Sequence, residues 1–150
     1  MKEIRSFSGD YFFLSNFWPC DIEFEGRDFM SAEAAFQAQK LDCSNRKNIS
    51  IKNKFQHYLA HEAKIEGKKV PLREDWEEVK DEIMYKVVLT KFSQHRNLRE
   101  KLLSTGDAEL IEGNCWRDRY WGVYPENGEV DKDGLNKLGK ILMRVREELK

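Results

Sequence analysis

Cysteine is scarce in this chain: Cys20, Cys43 and Cys115 are odd in number and show no CxxC spacing. That pattern excludes a disulfide scaffold, argues against a zinc site, and reads as three ordinary thiols of a reducing compartment. A basic excess is also missing. With 26 Lys and Arg against 27 Asp and Glu, the formal net charge is −1. Bulk charge therefore supplies no non-specific affinity for nucleic acid, although a local Lys/Arg patch would not show in such a sum. No apolar run approaches the ~18 residues of a membrane span, and Met1-Lys2-Glu3-Ile4-Arg5 carries no apolar h-region. The expectation is a soluble, cytoplasmic protein without a membrane partner. Internal repeats and low-complexity tracts are absent as well.

What is present fits a folded protein: 40% hydrophobic residues with nine Phe, five Tyr and four Trp, beside 35% charged ones. At 150 residues the chain suits one domain over 1–150, long enough to bury a core without disulfide staples.

The stretch from Ser31 to Lys40 organises the reading. Ser31 is a good N-cap, since its hydroxyl can accept a backbone N–H that the first turn leaves unpaired. Glu33 then falls in the first turn. The helical period places Glu33, Phe36, Gln37 and Lys40 along one side, with Lys40 about 10 Å further down the axis. The alanines elsewhere let other elements approach closely, so the helix should be buried. Two accounts of Glu33 remain open. Acidic residues are common where they meet the positive end of the helix macrodipole. Alternatively, a carboxylate kept ionised there suits a base, a nucleophile or a stabiliser of positive charge.

Upstream, Tyr11 to Leu14 is a β-prone run, and Asp21 to Gly26 alternates polar and apolar as a strand ending at a turn. Ser15 and Asn16 can close a turn through local hydrogen bonds. Downstream, 45–54 is polar and reads as a loop or frayed start. Phe55, Leu59 and Ala63 suggest one short helix ending by Gly67, with His57 and His61 on a shared face. That pair lacks the HExxH pattern and a third ligand, so no metal site is expected. The longest helix spans roughly 76–94, with Asp75 and Glu78 at capping-box spacing and an apolar stripe of Val79, Ile83, Val87, Met84, Val88 and Phe92. Trp76 at its entrance, beside Arg73, is either packing or a ligand contact.

Asn97 and Glu100 repeat the capping pattern for a helix that Gly106 stops, and 108–113 reads as a short strand. Residues 115–123 are dense in aromatic and charged groups. Such a cluster is either a pocket for a flat ring or sugar, or a packed strand with an exposed rim. A polar surface loop over 124–133 precedes a last amphipathic helix whose Leu135, Leu138, Leu142, Val145 and Leu149 keep one face apolar.

Taken together, these pieces resemble the NADAR family, the group of the YbiA-like N-glycosidases. The resemblance is carried by Phe13-Leu14-Ser15-Asn16-Phe17, Ser31-Ala32-Glu33 through Lys40, Ala63-Lys64, Leu72-Arg73-Glu74-Asp75-Trp76 and Lys91-Phe92. It continues through Leu102 to Gly106, Leu110-Ile111-Glu112, Asp118 with Trp121-Gly122, and Gly134 to Met143. Their order and spacing cover about 14–146.

The resemblance implies a mainly helical α+β fold and hydrolysis of an N-glycosidic bond at a phosphorylated ribose. The substrates it implies are riboflavin-pathway intermediates or ADP-ribose adducts, including ADP-ribosylated guanine, with ADP-ribosylated DNA as a further candidate partner. It places Glu33 on the family's active-site glutamate, and Trp76, Asp118 and Trp121 on positions tied to the pocket. Lys40, Asn16 and Asn136 match motif positions. In that frame Asp118 would orient the ribose or the water, the tryptophans would stack on base or sugar, and Lys40 or Arg73 would offset phosphate charge. No metal or cofactor is implied.

Three departures stand out. Ala34 replaces a frequent histidine, Phe12 a frequent arginine, and Val123-Tyr124-Pro125 a glycine-rich turn. Ala34 motivates the alternative reading, a non-catalytic module that binds ADP-ribose or a nucleotide.

Overall fold

The computed structural model describes residues 2–150. In chain order the strands are β1 (Glu3–Ile4), β2 (Pro19–Phe24), β3 (Arg27–Ser31) and β4 (Glu109–Leu110). The helices are α1 (Ala32–Ala38), α2 (Arg46–Lys54), α3 (Ala60–Glu66), α4 (Trp76–Gln94), α5 (Arg96–Ser104) and α6 (Lys137–Glu148). The architecture is α+β and mainly helical. Two units divide the chain: one of residues 16–94, and one of residues 1–15 with 95–150.

In the 16–94 unit, β2 and β3 form an antiparallel hairpin in which Ile22 pairs with Phe29 and Phe24 with Arg27. Glu25 (φ 51°) and Gly26 (φ 78°) close it. Two successive positive φ values match the right-handed twist of the strands, which is why the alternation ends at a glycine. Strand β3 runs directly into α1, every residue of which is buried. Ala32, Ala35 and Ala38 let this short helix settle among Ile22, Phe29 and Phe55. The end of α4 clasps β2: Gln94 accepts from the Glu23 backbone N–H (3.0 Å) and donates to its carbonyl (2.8 Å). On the same helix, Lys91 is fully buried and burial pushes its ammonium down to about 8, against a weaker favourable influence of Cys20.

In the other unit, β1 and β4 pair in parallel, Glu3 with Glu109 and Ile4 with Leu110. The apolar face of α6, Leu138, Ile141, Leu142 and Val145, is buried. Gly139 lets the start of α6 meet β4, since a Cβ there would collide with the Leu110 carbonyl and the Asn136 amide.

Several expectations are corrected. Gly9–Leu14 is a 3-10 helix rather than a strand. Gly9 takes a positive φ of 56°, and the adjacent Phe13 and Leu14 are both buried, which an alternating strand would not do. Residues 46–54 form α2 because the Asn45 side chain caps it, accepting the Asn48 N–H at 2.8 Å. Its buried Lys52 also reaches the Leu41 carbonyl at 3.3 Å. The single helix expected from Phe55 is broken into a 3-10 turn, Phe55–His57, and α3. The break falls where the Leu59 N–H turns to the Glu62 carboxylate (2.8 Å), so His57 and His61 lie on separate elements.

Helix α4 has the expected bounds, yet the Asp75 side chain holds Arg73 through two hydrogen bonds of 2.6 and 3.0 Å instead of capping. Helix α5 starts at Arg96, ahead of the expected cap at Asn97, and Glu100 pairs with Arg96 at 3.2 Å. Strand β4 is only two residues long, no strand runs through 115–123, and Leu135 lies outside α6 and is exposed.

Candidate active site

Asn16, Glu33, Lys40, Arg73 and Trp76 gather around α1. Ser31 caps that helix, its hydroxyl accepting the Ala34 N–H at 3.1 Å. The Glu33 N–H donates to the Asn16 carbonyl at 3.0 Å, which ties the chain at 16 to the first helical turn. Asn16 is itself buried, with its amide nitrogen 3.3 Å from the Met84 sulfur. Glu33 is 9% exposed, and its Oε2 accepts from Gln37 Nε2 at 2.8 Å. A charge-assisted hydrogen bond of this kind favours the ionised carboxylate.

Phe36 and Trp76 pack with ring centroids 5.2 Å apart, so the buried tryptophan at the entrance of α4 forms an aromatic wall with α1. Lys40 lies beyond it. Its ammonium sits 6.0 Å from the Trp76 ring centroid and donates to the Gly67 carbonyl at 3.2 Å. Desolvation holds the Lys40 pKa below the usual lysine range, with the Glu33 charge acting in the opposite sense and Lys68 adding to the lowering. The Arg73 N–H donates to the Lys40 carbonyl at 2.8 Å. Its guanidinium is bound by Asp75, which raises the Arg73 pKa and lowers that of Asp75.

Asp118, Trp121 and Asn136 belong to the other unit, where one loop network holds all three. Asn114 is buried and grips Asp118 by its backbone, donating to the Asp118 carbonyl (2.9 Å) and accepting its N–H (3.1 Å). Asp118 Oδ1 in turn accepts the N–H groups of Tyr120 (3.0 Å) and Trp121 (2.9 Å). The Trp121 carbonyl receives the Leu138 N–H at 2.9 Å, anchoring the loop to α6. Fully buried Asn136 donates to the Leu110 carbonyl and accepts the Glu112 N–H, both at 3.0 Å. Its amide thus braces the strand end, and its φ of 51° suits an asparagine. Trp116, by contrast, is exposed.

Gln37, Gly67 and Asn114 contact candidate site residues, and the sequence reading gave them no role. For Gln37 the signal was available, because a glutamine four residues after a glutamate on a helix lies within hydrogen-bonding reach. Ala34 is fully buried in the apolar cluster, so position 34 faces the core. Among the described residues, no group of three or more His, Cys, Asp or Glu side chains converges to hold a metal ion, and no helix is long and apolar enough to cross a membrane.

The arrangement around α1 offers a buried carboxylate, an aromatic wall and a cation with a weakened hold on its proton. Comparisons with known proteins agree with the sequence resemblance. The NADAR domain profile matches residues 5–150. N-glycosidase YbiA of Escherichia coli is 38% identical over 145 residues, covering 96% of this chain and 85% of that protein. Its NMR structure superposes with a TM-score of 0.78 at 35% identity, covering 99% of this chain and 86% of that one. An N-glycosidase of Nostoc punctiforme is 40% identical over 139 residues, covering 91% and 85%. A riboflavin biosynthesis protein of Vibrio vulnificus is 37% identical over 139 residues, covering 91% of this chain but 35% of that longer protein.

Proposed function

The chain belongs to the NADAR domain family, and from that membership we propose that it is a hydrolase of N-glycosidic bonds at a ribosyl phosphate or ADP-ribosyl group. The observation that carries this reading is Glu33: a buried carboxylate in the first turn of α1, held by Gln37 at 2.8 Å. Breaking a ribosyl C–N bond builds positive charge on the sugar ring, and a fixed anion nearby stabilises it or takes the proton of the attacking water. In the balanced step, the water oxygen bonds to the anomeric carbon while the C–N bond breaks and its electron pair leaves with the base nitrogen. The water's proton passes toward Glu33.

Around that step the other residues have supporting roles. Trp76 stacks on base or sugar, and Lys40 offsets phosphate charge. Arg73 would contribute to phosphate binding only by sharing its guanidinium with Asp75. The backbone contacts of Asp118 suit a residue that shapes the 118–121 loop and presents Trp121, and those of Asn136 suit a brace for β4. The substrate class extends to riboflavin-pathway ribosyl phosphates, supported by the name of the Vibrio relative, and to ADP-ribose conjugates.

The reading is tested by incubating the protein with ribosyl-pyrimidine phosphates, ADP-ribose conjugates and ADP-ribosylated DNA, and quantifying released base and sugar by mass spectrometry. Turnover of at least one, lost in Glu33→Gln with binding intact, is expected. Binding without product by the wild type would instead assign the chain as a non-catalytic module. The burial of Ala34 weakens that rival, because a histidine there would face the core and not the reacting groups.

A further inference from the structure

Gln37 lies one turn beyond Glu33, and its Nε2 donates to Glu33 Oε2 at 2.8 Å. An ionised carboxylate only accepts, so the amide must turn its nitrogen toward Glu33 and its carbonyl oxygen away. That oxygen, Oε1, is buried and accepts no hydrogen bond from any described residue. Buried acceptors are rarely left so, and a half-satisfied amide retained inside a protein calls for a reason other than packing.

Gly67 makes the placement possible. A Cβ at position 67 would collide with the Gln37 amide, while the backbone there (φ −63°, ψ −20°) is one any residue adopts. Its N–H is bound to the Ala63 carbonyl (2.8 Å) and its carbonyl to Lys40, so the backbone on both sides is fixed. The glycine is required for the room it leaves and not for its conformation.

We propose that Gln37 is the positioning residue of Glu33, seated by Gly67, and that it fixes the carboxylate and keeps it ionised for the reaction. The proposal rests on the reading of Glu33 as the reacting carboxylate. A carboxylate that loses the Gln37 hydrogen bond is held less firmly in the near-attack geometry that makes hydrolysis effectively unimolecular, and is protonated more easily.

The test compares wild type, Gln37→Leu and Gly67→Ala. In Gln37→Leu, kcat falls about 10- to 100-fold with KM little changed, and the acid limb of the kcat profile moves to higher pH. The thermal midpoint falls at neutral pH, where the buried carboxylate has lost its donor, and the deficit closes at low pH as Glu33 is protonated. A purely structural role predicts a midpoint lowered equally at every pH and an unmoved acid limb. Lys40, just past the end of α1, is electrostatically coupled to Glu33, and α3 and α4 carry further acidic and basic side chains. All are untouched by the substitution and act equally in both proteins.

Gly67→Ala leaves residues 33 and 37 in place and displaces only the amide, so it reproduces the same direction even if Gln37→Leu folds poorly. The carboxyl of Glu33 is also titrated by carbon-13 NMR without substrate. An equal midpoint in wild type and both variants overturns the proposal. A raised midpoint in the variants supports it, and if the wild type then turns over nothing, the assigned reaction fails while the positioning role stands.

Discussion

Glu33, Lys40 and Asn136 separate three kinds of contribution that single side chains make. Glu33→Gln keeps the shape of the side chain and removes its charge, so kcat should fall about 100- to 1,000-fold while calorimetric binding of substrate persists. Lys40→Met removes the cation beside Trp76. It should raise KM about tenfold for a phosphorylated substrate, roughly 1.4 kcal/mol, with little effect on a dephosphorylated analogue assayed in parallel. Asn136→Ala strips a partner from the Leu110 carbonyl and from the Glu112 N–H, both held at 3.0 Å, and replaces an asparagine, which tolerates positive φ, with an alanine, which does so less readily. A loss of roughly 2 to 4 kcal/mol in urea unfolding is expected, with kcat affected only in proportion to the folded fraction. A selective kcat loss in a fully folded Asn136→Ala protein would instead mark a direct role in binding.

Among the elements, α1 gains from its cap, while α4 carries a buried cation that costs it stability. Ser31→Ala deletes the acceptor for the Ala34 N–H and should cost about 1 kcal/mol. Because Glu33 rides on that same first turn, thermal melts and kcat should fall together. Lys91 has the opposite character. Its ammonium titrates at about 8 in the fold and at 10.5 when solvated, so between those values the unfolded chain binds more protons and stability rises with pH. Lys91→Met removes this dependence. The variant should be more stable than wild type by roughly 3 kcal/mol at pH 7, and the gap should close between about pH 8 and 10.5. Urea titrations across that range measure it, and a gap that stays constant with pH would rule the account out.

For the whole molecule, family membership and charge bear on the partner. A net charge of −1 releases few counterions on contact with DNA. Unmodified DNA should therefore bind weakly, with a shallow dependence of affinity on salt measurable by fluorescence anisotropy. Any preference for ADP-ribosylated DNA would then come from the modified nucleotide itself. A steep salt dependence would instead reveal a local basic surface that the overall sum conceals.

Much was legible along the chain because it is local in origin. The Ser31 cap, the turn at Gly26, the bounds of α4 and the apolar face of α6 each arise from residues within a turn or two of one another. Periodicity and capping chemistry report such features directly. Glu33 was legible for the same reason, as a carboxylate in the first turn of a small-sided helix. The helix at 46–54, capped locally by Asn45, was open to the same reading and was missed; the 3-10 turn at Gly9–Leu14 and the two-residue parallel pairing of β1 with β4 were not legible. Their stabilising contacts lie far off in sequence or in the burial of single side chains, and propensity is too weak to anticipate them. The match of Gln37 to Gly67 is of this second kind. It exists only because α1 and the end of α3 approach closely enough that one methyl group would part them, a distance set by packing that no spacing in the sequence records.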